Sequence, residues 1–330
     1  MSLNKKILSR TIHFYQYYIV KKQYPMLTLV DRKKRQAAGA IGLVFMLHHI
    51  TEKDSRLIPT NEDLKVSPEY LEKIILKYKV KGFDFISLDQ LNDIIKSDAI
   101  PERPFVSFTI DDGYLDNYTK ALPVFERHQV PFAIFVATDF IDNKAILWWD
   151  SIEDLIMTHK SVVTSDGKNY SCESYRQRWN TFRYLRERIL NLDQKNLECE
   201  LNEMFPDYDI DWYEPVRNKG MSWEHIISLA AHPLCTIGGH TISHPALSKL
   251  SLDEALREIS EGKKRIEQKI SQPITYFAYP YGTPNEVGER EFWLAKELGF
   301  DIAFCAHGGC VTKDNKSQRY QLPRVYFHEY

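Results

Sequence analysis

Long apolar runs are missing from this chain of 330 residues. Two stretches mimic a secretory signal, and neither carries one. The first, ahead of Lys21-Lys22, is short and broken by polar residues. The second, Ala37 to Leu47, is too short to span a bilayer and runs straight into His48 and His49, so it reads as a core strand. Cysteine is sparse: five residues, at 172, 199, 235, 305 and 310, with no Cys-x-x-Cys pair. The odd count argues against a disulfide scaffold or a cysteine-based zinc site and for a reducing compartment. A cytoplasmic location is the expectation. A surplus of either charge is lacking too. The formal net charge of -2 gives no general pull toward nucleic acid, which is not expected as a partner. No internal repeat or low-complexity linker divides the chain.

Charge is nevertheless uneven. Residues 1–36 hold nine Lys/Arg against one acid, Asp31, together with the aromatic cluster His13-Phe14-Tyr15-Gln16-Tyr17-Tyr18. This leader, residues 1–40, either rests on an anionic membrane face or packs as a solvated helix. From about residue 41, strand-like and helix-like segments alternate. Ser67-Pro68 supplies an N-cap and a first-turn proline, and Leu71, Ile74, Ile75 and Tyr78 follow at helical spacing. Ser87-Leu88-Asp89-Gln90 and Ser251-Leu252-Asp253-Glu254 are capping boxes. The rhythm breaks between about 140 and 222, which reads as a helical insertion carried by a βα loop. About seven to eight parallel strands with helical crossovers, over residues 41–330, favour an α/β barrel above an open sheet.

Three stretches leave predicted strands carrying chemistry. Val106 to Ile110 runs into Asp111-Asp112-Gly113-Tyr114. Adjacent carboxylates at the end of a buried strand are unfavourable unless positive charge lies beside them. The spacing His240-x-x-x-His244 sets two imidazoles one turn apart on a helix or on one side of a tight loop. With one carboxylate they make a three-ligand metal site that suits zinc, with iron, cobalt or nickel also fitting. The third stretch, Tyr276 to Gly282, contains Pro280, Tyr281 and Gly282, a turn able to aim a backbone N–H at the site.

These stretches resemble a known family. Thr109-Ile110-Asp111-Asp112-Gly113 is similar to the T-F-D-D-G motif of the polysaccharide deacetylases, the NodB-like group also called carbohydrate esterase family four. His240-Thr241-Ile242-Ser243-His244 matches the family's H-[ST]-x-x-H motif, and Phe277-Ala278-Tyr279-Pro280-Tyr281-Gly282 is similar to its third motif. The resemblance covers about 43–328 without the insertion. It implies a distorted (β/α) barrel that removes acetyl groups from N-acetylated sugars of a polysaccharide or glycan precursor. It further implies that Asp111 is the general base, that Asp112, His240 and His244 hold the divalent metal, and that Tyr281 lends its N–H to the oxyanion. Two competing functions are a small-molecule amidohydrolase on the same scaffold and a non-catalytic glycan-binding relic.

Two family features are missing. The third motif usually opens with an Arg that orients the base; Thr275 stands there. The C-terminal L-x-H motif that supplies the general acid has no clean match, and His328 is a weak stand-in. Phe45-Met46-Leu47-His48-His49-Ile50 is similar to an early strand in a branch acting on surface polysaccharides. A closed barrel sets its first strand beside its last, so His48 is the expected acid, with His49 on the other side of the strand. Trp148-Trp149-Asp150 also looks like that branch. Trp148, Trp149, Tyr114 and Pro280 are the expected substrate contacts, the alternative for the tryptophans being the core of the insertion.

Overall fold

The structure, a computed structural model, describes residues 39–97, 100–327 and 329. The basic leader and His328 lie outside the described residues. Among the described residues thirteen strands occur: β1 (Ala40–Leu47), β2 (His49–Ile50), β3 (Lys65–Val66), β4 (Asp84–Phe85), β5 (Phe105–Asp112), β6 (Phe132–Val136), β7 (Ser161–Val163), β8 (Asn169–Ser171), β9 (Cys235–Gly239), β10 (Tyr276–Ala278), β11 (Ile302–Phe304), β12 (Val311–Thr312) and β13 (Val325–Tyr326).

β1, β5, β6, β9, β10 and β11 are successive parallel neighbours, as helical crossovers require. The C-terminal segment then touches both edges. Leu322 bridges to Phe304 of β11, while β13 pairs in parallel with β1 through Phe45↔Val325 and Met46↔Tyr326. Seven parallel strands thus curl into a distorted barrel, and the first strand does lie beside the last. The antiparallel β12 covers the start of β1.

Side-chain alternation divides the core in two. Phe132, Ile134 and Val136 of β6 face the outer helices, with Phe108, Ile110, Ile75 and Phe125. Ala133 and Phe135 face inward, with Val44, Tyr276 and Phe304. The helix Leu88–Lys96 adds Leu88, Leu91 and Ile95 to that inner cluster, and Tyr276 Oη donates to Asp89 at 2.6 Å. It covers the end where strands begin and leaves the carboxyl ends as the open face.

The stretch after β6 has its own core of Trp148, Ile152, Phe182, Leu185, Leu201 and Trp212. Its helices are Trp148–Thr158, Tyr175–Ile189, Leu197–Met204 and Glu214–Lys219. It is not all helix. β7 and β8 form an antiparallel hairpin turning at Asp166-Gly167, where Gly167 takes φ +74°. An Asp-Gly pair between two short β-branched or aromatic runs is a hairpin signal. Among the described residues no helix is long and apolar enough to cross a membrane, and all five cysteines are free thiols.

The helix Leu252–Ile270 props up the turn after β9. One turn apart on its surface, Glu258 accepts from the backbone of Ile242 and Ser243, both at 3.0 Å, and Gly262 lies against Thr241. A Cβ at Gly262 would meet the Thr241 carbonyl carbon and oxygen at 2.8 Å. Alanine there adds about 1 kcal/mol of helix propensity, while overpacking against a backbone costs about 1–3 kcal/mol. Gly262→Ala is therefore expected to lower the melting temperature; an unchanged or higher value would mean that the turn can retreat.

Candidate active site

The register Asp112↔Val136, Val136↔Gly239, Gly239↔Phe277 sets the ends of β5, β6, β9 and β10 on one rung. Three turns leave that rung, and their backbones are strained. Asp112 (φ 80°), Thr241 (71°), His244 (61°) and Tyr281 (59°) occupy the left-handed region. They are four of the seven described non-glycine residues that do so, and Thr241 is β-branched. Glu258 and Gly262 hold one of these turns from outside. Within it, Thr241 Oγ1 accepts from His244 N at 3.1 Å.

The turns bring Asp112, His240 and His244 together, with candidate ligand atoms all within 4.8 Å of one another. Asp112 Oδ1 lies 3.4 Å from His240 Nε2 and 3.3 Å from His244 Nε2. His240 Nδ1 donates to the Ala278 carbonyl at 2.6 Å, which leaves Nε2 with its lone pair toward Asp112. Asp112 Oδ1 is buried without a hydrogen-bond partner among the described residues. An orphaned carboxylate oxygen facing two imidazole nitrogens fits a divalent cation. Burial opposes the Asp112 charge, but the neighbouring His240 and His244 hold its pKa below the carboxylate range. Burial lowers His244 to about 4, so its ring is neutral at pH 7, the form that binds metal.

Asp111 has a different partner, one the motif comparison missed. Arg324, between Leu322 and β13, is fully buried. Its Nη1 donates to Asp111 Oδ1 at 2.6 Å and its Nη2 to Oδ2 at 2.7 Å. Nε donates to the Cys305 carbonyl at 3.1 Å, and Thr109 Oγ1 accepts from Nη1 at 3.2 Å. Phe135 and Phe304 flank the guanidinium, at 5.7 and 6.0 Å from ring centroid to Cζ. Burial raises the Asp111 pKa; the Arg324 charge, with His240, more than reverses that. The cation expected at Thr275 thus comes from just before the last strand, while Thr275 offers its carbonyl to Asp301 N. A lone Arg in an apolar terminal strand was the available signal, since a buried charge demands a partner.

His48 and His49 separate as alternation requires. His48 is half-buried, and the charges of Asp112 and Asp111 act on it; burial nonetheless lowers its pKa. His49 is turned away: Nδ1 lies 2.9 Å from Asp116 Oδ2, and its ring stacks 3.6 Å from that of Tyr114. Asn117 Nδ2 donates to the His48 carbonyl at 2.7 Å and Asp116 Oδ1 accepts from Ile50 N, fixing this exit from β1.

The insertion reaches the same mouth. The Trp149 ring stands 5.5 Å from that of His244 and is partly exposed. Trp148 is buried in the insertion core, and its Nε1 donates to Tyr281 Oη at 3.2 Å. The Tyr281 ring lies 4.8 Å from His244. Tyr114 is buried, its hydroxyl accepting from Trp149 Nε1 at 3.2 Å, and Pro280 is buried in the turn. A cavity of about 330 Å³ opens beside His244, lined by Trp148, Tyr281, Lys144, Lys195 and Tyr213 among others.

Residues 98–303 match the family model described as polysaccharide deacetylase. The Bacillus subtilis (strain 168) protein YxkH, named for the polysaccharide deacetylases, is 21% identical over 282 residues, spanning 86% of this chain and 70% of YxkH. Among solved structures, the Streptococcus pyogenes deacetylase PplD in complex with acetate superposes with a TM-score of 0.58 at 15% identity, over 88% of this chain and 92% of that one. IcaB from Ammonifex degensii gives 0.55 at 16%, over 87% and 92%. At these identities the structural likeness is one of fold; the family match covers well over half of the sequence, and on that ground the chain belongs to the polysaccharide deacetylase family.

Proposed function

We propose that this protein is a metal-dependent hydrolase that removes N-acetyl groups from amino sugars of a polysaccharide or glycan precursor. The observation that carries this reading is the unpartnered, buried Asp112 Oδ1 facing two imidazoles, one residue from a carboxylate clamped by arginine. Asp112, His240 and His244 would hold the cation. When bound, it acidifies a water and draws charge from the acetyl carbonyl, with zinc the best match to this donor set.

The remaining steps fall to the chain. Asp111 stays ionised beside Arg324 and takes the proton of the attacking water. Both Asp111 oxygens accept from the guanidinium fork, which fixes the carboxylate plane and leaves further lone pairs toward the mouth. No described acceptor takes the Tyr281 N–H, which is free to meet the developing oxyanion. The leaving amine needs a proton, and we assign its delivery to His48. Because burial lowers its pKa, His48 rests neutral and picks up its proton during turnover. Trp149, partly exposed beside His244, stacks on the sugar face.

Acetate release from a panel of N-acetylated glycans tests this reading. Activity is expected on amino-sugar oligomers and not on small cyclic amides. Asp111→Asn should keep the metal and lose about 10²–10⁴-fold in turnover, while His240→Ala should lose the metal. Full metal occupancy in His240→Ala would refute the ligand set.

Arg324→Gln strands a buried carboxylate, and breaking such a pair costs about 3–5 kcal/mol. Arg324→Lys keeps the charge without the fork. It is expected to recover most of the melting temperature but little of kcat. Full activity in the lysine variant would mean that the fork has no part in orienting Asp111.

His48→Ala should lower kcat by about 10²-fold with metal retained, whereas His49→Ala should act mainly on stability. The reverse ranking, read from kcat and metal content together, would move the acid elsewhere.

A further inference from the structure

Two aromatic rings meet the His244 imidazole, Trp149 at 5.5 Å and Tyr281 at 4.8 Å. They belong to different surroundings. Tyr281 and its partner Trp148 form part of the wall of the 330 Å³ cavity; Trp149 does not. Asp111, Asp112, His240 and His48 do not line that cavity either. A guest filling it therefore touches the site through His244 and Tyr281 and makes no contact with the carboxylates assigned to the chemistry. The space beside Trp149 and the space beyond Tyr281 can hold two different parts of one substrate.

Much of the remaining wall comes from the stretch after β6, through residues 194–199 and Tyr213. Most of the polar groups in that wall already have partners within the chain. Gln194 Nε2 donates to the Ile189 and Leu192 carbonyls, and Asn196 Nδ2 donates to Asp193 Oδ2 at 2.8 Å. Lys195 pairs with Glu254 at 2.9 Å, and Ser243 Oγ donates to Glu258 at 3.0 Å. Two groups keep capacity. Lys144 has no carboxylate within 4.0 Å among the described residues. Glu198 Oε2 accepts from Tyr213 Oη at 2.6 Å, which fixes the half-buried Tyr213 ring and leaves Oε1 able to accept from a guest.

The wall thus sets apolar and aromatic surface, from Ile146, Trp148, Leu197 and Tyr213, beside one ammonium and one carboxylate. A sugar ring matches that mixture. Its C–H face packs on an aromatic ring, while its hydroxyls both donate and accept. The volume stands at the small end of ligand pockets, about 300–1,000 Å³, which suits a sugar unit better than a long run of chain. We propose that this cavity is a second sugar subsite. The sugar next to the acetylated one packs against Tyr213 and Leu197, donates a hydroxyl to Glu198 and accepts from Lys144. The place of the acetylated sugar rests on the deacetylase reading; the binding of a sugar in the cavity is measured separately. The substrate class is then a linked amino-sugar chain and not a free monosaccharide, and the stretch after β6 selects it.

Kd is measured by calorimetry on the zinc-loaded Asp111→Asn protein, which binds without turnover. The probes are N-acetylglucosamine and its dimer, diacetylchitobiose. The dimer should bind about tenfold tighter than the monosaccharide. Cys199, an exposed thiol on the cavity wall, allows the space to be filled without altering those contacts. Alkylation with a bulky maleimide should bring the ratio of Kd values close to one. The Cys199→Ser protein, treated with the same reagent, should keep it. Lys144→Ala and Glu198→Ala, both at exposed positions, should each lower the ratio about threefold. Equal Kd values for the two probes, or a ratio that survives alkylation of Cys199, overturns the subsite. Acetate release from both probes by the unsubstituted protein is followed in parallel. Its failure with both would refute the deacetylase reading while leaving the ratio of Kd values to decide on the cavity.

Discussion

Two adjacent carboxylates at the end of a fully buried strand govern this structure. Asp111 and Asp112 cannot both stay ionised in that position without positive partners on each side. The fold supplies them in different currencies. Asp111 receives the permanent charge of Arg324 through a two-bond fork. Asp112 receives two imidazole nitrogens and is left with an oxygen that only a cation would complete. The two acids thus have different partners, although they share a backbone and a strand. The division of labour follows from which face of the barrel mouth each side chain enters.

Barrel closure depends on the same pair. The segment carrying Arg324 bridges β11 at Leu322 and β1 at Val325 and Tyr326. Its guanidinium crosses the interior between Phe135 and Phe304 to reach β5. The last residues of the barrel are thus tied to β11, to β1 and to Asp111. This also explains how a position occupied by Thr275 is tolerated. Arg324 supplies the buried guanidinium beside Asp111 from another strand end.

The strained turns around the site are held from behind by ordinary packing. Glu258 satisfies two amides of the turn after β9, and Gly262 lets the helix approach its backbone. Asn117 and Asp116 fix the exit from β1, and His49 packs against Tyr114. On the remaining side the insertion packs Trp148 into its own core and sets the Trp149 ring beside His244.

Much of this was legible in the sequence because it is written locally. Capping boxes, apolar strands and the Asp-Asp and His-x-x-x-His spacings depend on neighbours within a few residues, and these point to the barrel and to the cluster of Asp112, His240 and His244. Even the separation of His48 from His49 follows from strand alternation. The Asp166-Gly167 hairpin was equally local and was overlooked within a region read as helical. Arg324 was a different case. Its partner lies 213 residues away, so no local pattern marks it; only closing the barrel brings the last strand beside the first and aims that side chain inward. Local chemistry is set by spacing along the chain, whereas charge partnership inside a barrel is set by which strand ends meet, and that is decided only when the sheet curls.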